Sequence, residues 1–100
     1  MTFAFTYEVP IGPEVYARIK QGLGPQPPHG LISHVAYRTE NGLRYLDVWR
    51  SKDDWEGFVE QRLHPVVDTV LTRELGFRPP EPPMTVLEVV DAWIGAAGDQ

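Results

Sequence analysis

The sequence predicts an α+β domain in which two helices cover one face of a four-stranded antiparallel sheet. Three observations predict it. Strand-like segments run through residues 2–9, 31–39, 43–50 and 84–93, with period-two alternation clear in the first and imperfect in the third. Apolar residues at helical spacing fill the stretches after the first and third of these segments. An Asn-Gly pair, a strong hairpin signal, lies between the second and third.

The first segment, TFAFTYEV, sets Phe3, Phe5, Tyr7 and Val9 against Thr2, Ala4, Thr6 and Glu8, the pattern of a strand. Pro10 and Gly12 stop it, and Pro13 suits the first turn of a helix. Val15, Ile19 and Leu23 then recur every four positions until Gly22 and Gly24 end the helix. PQPPHG is a stiff loop. LISHVAYRT and LRYLDVWR are the second and third strands. With Asn41-Gly42 as a two-residue turn, Arg38 pairs with Tyr45, Ala36 with Asp47 and His34 with Trp49. One face of the hairpin then carries Ile32, His34, Ala36, Arg38, Tyr45, Asp47 and Trp49, and the other Leu31, Ser33, Val35, Tyr37, Leu46 and Val48.

Ser51 followed by Asp54 resembles a capping box, and Asp53 and Asp54 suit the positive end of a helix dipole. Trp55, Phe58, Val59, Arg62 and Leu63 mark one helical face. Pro65 lacks a backbone donor, so the helix kinks or restarts near His64. Val66, Val67, Val70, Leu71 and Leu75 continue the stripe until Gly76 caps it. RPPEPP is a rigid connector, and MTVLEVVDAW is the fourth strand. The resulting β-α-β-β-α-β order is the split βαβ, or ferredoxin-like, arrangement. One domain is expected over residues 1–94, with a frayed tail at 95–100.

Composition narrows the function. A net charge of −5 argues against nucleic-acid or anionic-membrane partners. The chain has no cysteine, so thiolate chemistry and disulfides are excluded. Three histidines without local ligand spacing give no metal site. There is no Gly-rich phosphate loop, so no cofactor is expected. Without a basic leader or a long apolar run, a cytoplasmic location is expected. Whichever sheet face the helices cover, an apolar row such as Val35, Tyr37, Leu46 and Val48 is left over. A second sheet is the simplest cover, which predicts a homodimer.

The candidate site lies on the hairpin. His34 and Asp47 are diagonal neighbours in the expected register, and a carboxylate beside an imidazole raises its basicity. The pair would suit proton abstraction from a phenol or an acidic carbon, or would simply satisfy two buried polar groups. Trp49, Trp55 and Phe58 would stack on a flat aromatic ligand, although for Trp55 and Phe58 plain core packing is the simpler reading. Tyr16 and Tyr37 could hydrogen-bond a ligand or sit at a rim. His64 could reach a cavity mouth, but the solvent-exposed reading is favoured.

HVAYRTENG at 34–42, DVWRSKDDW at 47–55 and FVEQRLHPVV at 58–67 resemble the dimeric α+β barrel superfamily, and within it the antibiotic-biosynthesis-monooxygenase-like group. Arg50 replaces the usual Glu, and Trp55 stands where Phe is common. The resemblance implies a ligand cavity between sheet and helices, and two sheets packed together in a dimer. It implies a hydrophobic, aromatic or polyketide-like ligand and, for an enzyme, cofactor-independent oxygenation. His34 aided by Asp47 would then deprotonate the substrate, Tyr45 and Trp49 would hold the ring, and Arg38 would stabilise negative charge. A polyketide cyclase or isomerase acting by proton transfer, and a non-catalytic binding or structural dimer, are the alternatives. Haem-degrading members use an Asn, a Trp and a His where this chain has Phe5, Phe58 and Val67, so that activity is not expected.

Overall fold

The computed structural model describes residues 2–93. Its elements are β1 (Phe3–Val9), α1 (Pro13–Leu23), β2 (Leu31–Thr39), β3 (Gly42–Trp49), α2 (Lys52–Phe58), a π-helical turn (Val59–Leu63), α3 (His64–Leu75) and β4 (Thr85–Leu87). The sheet order is β2-β3-β1-β4, with all neighbours antiparallel. The ferredoxin-like α+β arrangement is therefore the fold. Among the described residues no helix is long and apolar enough to cross a membrane. The expected frayed tail, residues 95–100, lies outside the described residues.

The hairpin differs from its expected register. Its two-residue turn is Glu40-Asn41, so that Thr39 pairs with Gly42, Arg38 with Leu43, Ala36 with Tyr45 and His34 with Asp47. Gly42 is needed inside the strand: its φ is +149°, and a Cβ there would collide with the carbonyl oxygen of Val9. The slip is two residues, an even number, so the side chains from Ser33 to Trp49 keep their expected faces. An irregularity between Leu31 and Ser33 then brings Leu31 opposite Trp49.

β4 is also shorter than the expected 84–93. It pairs Thr85 with Thr6, Val86 with Phe5 and Leu87 with Ala4. Running antiparallel, it reaches the start of β1 and finds no further partner. Ser51 caps α2 as its spacing predicts, its hydroxyl accepting the Asp54 N–H at 3.1 Å. The break before Pro65 takes the form of the π-helical turn, which absorbs the missing donor without ending the helical run.

Two packed regions fill the space between sheet and helices. Ile11, Ile19, Leu43, Val70 and Leu71 form a buried aliphatic core under α1 and α3. Gly22 allows the close approach of these helices, since a Cβ there would lie 2.7 Å from Val66 Cγ1. Beneath α2, Trp49 and Phe5 are fully buried, with Trp55 4.6 Å from Phe5 and 5.4 Å from Trp49 between ring centres. The opposite sheet face bears Val35, Tyr37, Leu46 and Leu87, all exposed. It is apolar where water would favour polar residues.

Candidate functional site

Direct pairing of His34 with Asp47 builds a four-membered polar chain across the sheet. His34 Nδ1 lies 2.6 Å from Asp47 Oδ1, and the other carboxylate oxygen accepts the Trp49 Nε1–H at 3.0 Å. The Tyr16 hydroxyl on α1 lies 2.8 Å from His34 Nε2. A carboxylate only accepts, so in the neutral ring Nδ1 carries the proton and Nε2 accepts from Tyr16. Asp47 is buried at 5% exposure, and a carboxylate so placed needs these donors. Burial, followed by the charge of Asp47, raises the Tyr16 pKa above its ordinary value of 10.0, so its hydroxyl stays a neutral donor.

A cavity of about 550 Å³ opens beside this network. Tyr7, Val9 and Tyr45 form its sheet wall, and Trp55, Val59, Glu60, Leu63, His64, Val67 and Leu71 its helical wall. The connector residues Arg78–Pro82 and Met84 close the third side. Tyr7 and Tyr45 pair directly across β1 and β3, with ring centres 5.2 Å apart. Burial, and secondarily the charge of Asp47 on Tyr7 and the neighbouring Tyr16 on Tyr45, pushes both phenols well above their ordinary range. They are thus neutral polar groups in a mostly apolar wall, the usual make-up of a small-molecule pocket.

Of the expected site residues, Tyr45 and Trp55 line the cavity. His34, Asp47, Tyr16, Trp49, Phe58 and Arg38 do not. Tyr45 belongs to both regions, its ring 5.3 Å from His34 and 5.6 Å from Tyr16. Trp49 is 1% exposed and packs against Trp55 and Phe58 at 5.4 Å each. Arg38 is exposed and makes no ion pair among the described residues. It sits four residues from His34 along β2, roughly 13 Å away.

Sequence reasoning missed Tyr7, Glu81 and Arg78. The alternation of β1 already sets Tyr7 on the Phe5 face, but its apposition to Tyr45 depends on the β1–β3 register. His64 borders the cavity while 41% of its side chain stays exposed, so it meets both cavity and solvent, and its Nε2 lies 2.6 Å from Glu81 Oε1. Arg78 Nε donates to Asp68 Oδ1 at 2.7 Å. These two contacts tie the connector to α3. Among the described residues no three His, Asp or Glu side chains cluster to hold a metal.

Comparison of the sequence with protein-family models and with curated proteins gives no match. Solved structures do resemble the chain. Rv0793 from Mycobacterium tuberculosis is similar at a TM-score of 0.60 and 16% identity, over 92% of this chain and 98% of that one. SnoaB, a cofactor-independent oxygenase from Streptomyces nogalater, is similar at 0.54 and 20%, over 91% and 93%. A conserved protein from Methanosarcina mazei Go1 is similar at 0.56 and 11%, over 87% and 91%. At these identities the likeness establishes the fold alone, the ferredoxin-like α+β arrangement described above.

Proposed function

We propose that the protein binds a hydrophobic, aromatic or polyketide-like small molecule in the cavity between its sheet and helices. The observation that carries this reading is the cavity itself. It has the size of a small-molecule site, an aromatic wall of Tyr7, Tyr45 and Trp55, and a mostly apolar lining that also includes Glu56, Glu60, His64, Arg78 and Glu81. The exposed apolar sheet face with Val35, Tyr37 and Leu46 supports a homodimer that covers it. Light scattering checks the dimer, and a stable monomer at micromolar concentration would contradict it.

The reaction in this reading is cofactor-independent oxygenation, supported by the likeness to SnoaB, a cofactor-independent oxygenase. An activated methylene loses a proton, and the resulting carbanion reduces dioxygen. One oxygen atom becomes the carbonyl, and the other leaves as water with the two methylene hydrogens. His34, polarised by Asp47, is the proton store. Tyr16 and His34 lie outside the cavity wall, behind Tyr45, so the proton reaches them by relay: a proton delivered to the Tyr16 oxygen releases the hydroxyl proton to His34 Nε2. Oxygen uptake with anthrone as substrate tests the assignment. His34→Ala is expected to lower kcat by about a hundredfold, the scale of general-base catalysis. Unchanged turnover by His34→Ala would remove His34 from the reaction.

A further inference from the structure

The buried network presents no free imidazole nitrogen, because both nitrogens of His34 are engaged. The histidine that the cavity wall itself contains is His64. Its position follows from local chemistry. Pro65 cannot donate to the preceding turn, and the helix answers with the π-helical turn Val59–Leu63 that ends immediately before His64. Such turns recur at functional sites because they re-aim the side chains around them. Here Val59, Glu60 and Leu63 of the turn line the cavity together with His64.

We infer that His64, held by Glu81, is a proton acceptor for an acidic phenol or carbon acid bound in the cavity, an assignment that rests on the small-molecule reading above. The 2.6 Å contact fixes the ring. Nε2–H donates to the Glu81 carboxylate, which leaves the lone pair on Nδ1, a nitrogen with no hydrogen-bond partner among the described residues. In the step, the ligand O–H or C–H bond breaks, its electron pair stays on the ligand, and the proton bonds to Nδ1. The imidazolium so formed is stabilised by Glu81. Of the charged groups nearby, Glu56, Glu60 and Asp68 favour the imidazolium; Arg78, bound to Asp68 and 4.0 Å from Glu81, opposes it, and Arg62 is turned to the carbonyls of Leu23 and Gln26. The His64 and Glu81 side chains are 41% and 65% exposed, so the accepted proton can pass to solvent.

The test uses 4-nitrophenol, which absorbs in the visible only when ionised, added to the full-length protein about one unit below the pKa of the free probe. Bound probe is expected to show a phenolate-to-phenol ratio about tenfold above that of free probe, the effect of one favourable charge partner. The His64 ring nitrogens should show protonation in step by ¹⁵N NMR. His64→Gln should bind the probe and lose the excess ionisation, and Glu81→Gln should lose part of it. Asp68→Asn cuts the other tie between connector and helix and should lose less of it than Glu81→Gln, because Asp68 does not touch the ring. A wild-type ratio retained in His64→Gln overturns the assignment while leaving the binding function standing. So does an equal loss in Asp68→Asn, which would make connector placement the cause. Absence of probe binding to the wild-type protein overturns both readings.

Discussion

The molecule contains two histidine–carboxylate pairs with the same 2.6 Å contact and opposite surroundings. His34 and Asp47 face each other across two paired strands, and their side chains are only 25% and 7% exposed. Trp49 holds the free carboxylate oxygen and Tyr16 the free ring nitrogen. His64 and Glu81 join a helix start to a proline-rich connector, and their outer atoms meet cavity and solvent. The difference teaches that contact distance says little about role. A saturated pair in a low-dielectric interior is a structural fixture that can store a proton. A pair with an open nitrogen beside a cavity can exchange one.

The largest effect that would break this contrast is on stability. Asp47→Ala should destabilise the protein by about 3 kcal/mol, because it strands both the imidazole and the Trp49 N–H in a buried setting. Glu81→Ala should cost no more than about 0.5 kcal/mol, the usual worth of an exposed pair. Urea unfolding of the two variants checks this, and equal losses would erase the distinction.

A second effect sharpens the contrast through pH. Tyr7, Tyr16 and Tyr45 all ionise with more difficulty than a free phenol, chiefly through burial. Above pH 10 the unfolded chain loses these protons while the folded chain keeps them. Stability is therefore fully present below pH 10 and falls as pH rises beyond it, with a slope of about 1.4 kcal/mol per pH unit for each tyrosine. Tyr45→Phe should make the alkaline limb of a denaturation series shallower. Glu81→Gln should leave that limb nearly as steep, since Glu81 ranks behind burial, Asp47 and Tyr45 among the causes acting on Tyr7.

What could be read in the sequence follows from the range of each rule. The alternation in TFAFTYEV and the Ser51–Asp54 spacing are local, and both appear as expected. The two faces of the hairpin survived a wrong turn assignment because side-chain direction depends only on parity. The His34–Asp47 contact became direct for the same reason. Longer-range facts were not legible. The end of β4 at Leu87 is set by where β1 begins, at Phe3 near the other end of the chain. Tyr7 meets Tyr45 through a register that neither strand encodes alone. RPPEPP announces stiffness, yet nothing in its composition says that Arg78 and Glu81 close a cavity and grip α3.

The central claim is that the space between Tyr45, Trp55 and His64 holds an aromatic ligand. Equilibrium binding of anthrone to the wild-type protein and to Val59→Trp tests it most directly. Val59 lines the cavity, and an indole there would occupy the ligand's space at a folding cost of about 1–3 kcal/mol. Saturable binding by the wild-type chain and its loss in a still-folded Val59→Trp is the predicted result. Equal affinity in the two proteins, or no binding by either, would contradict it.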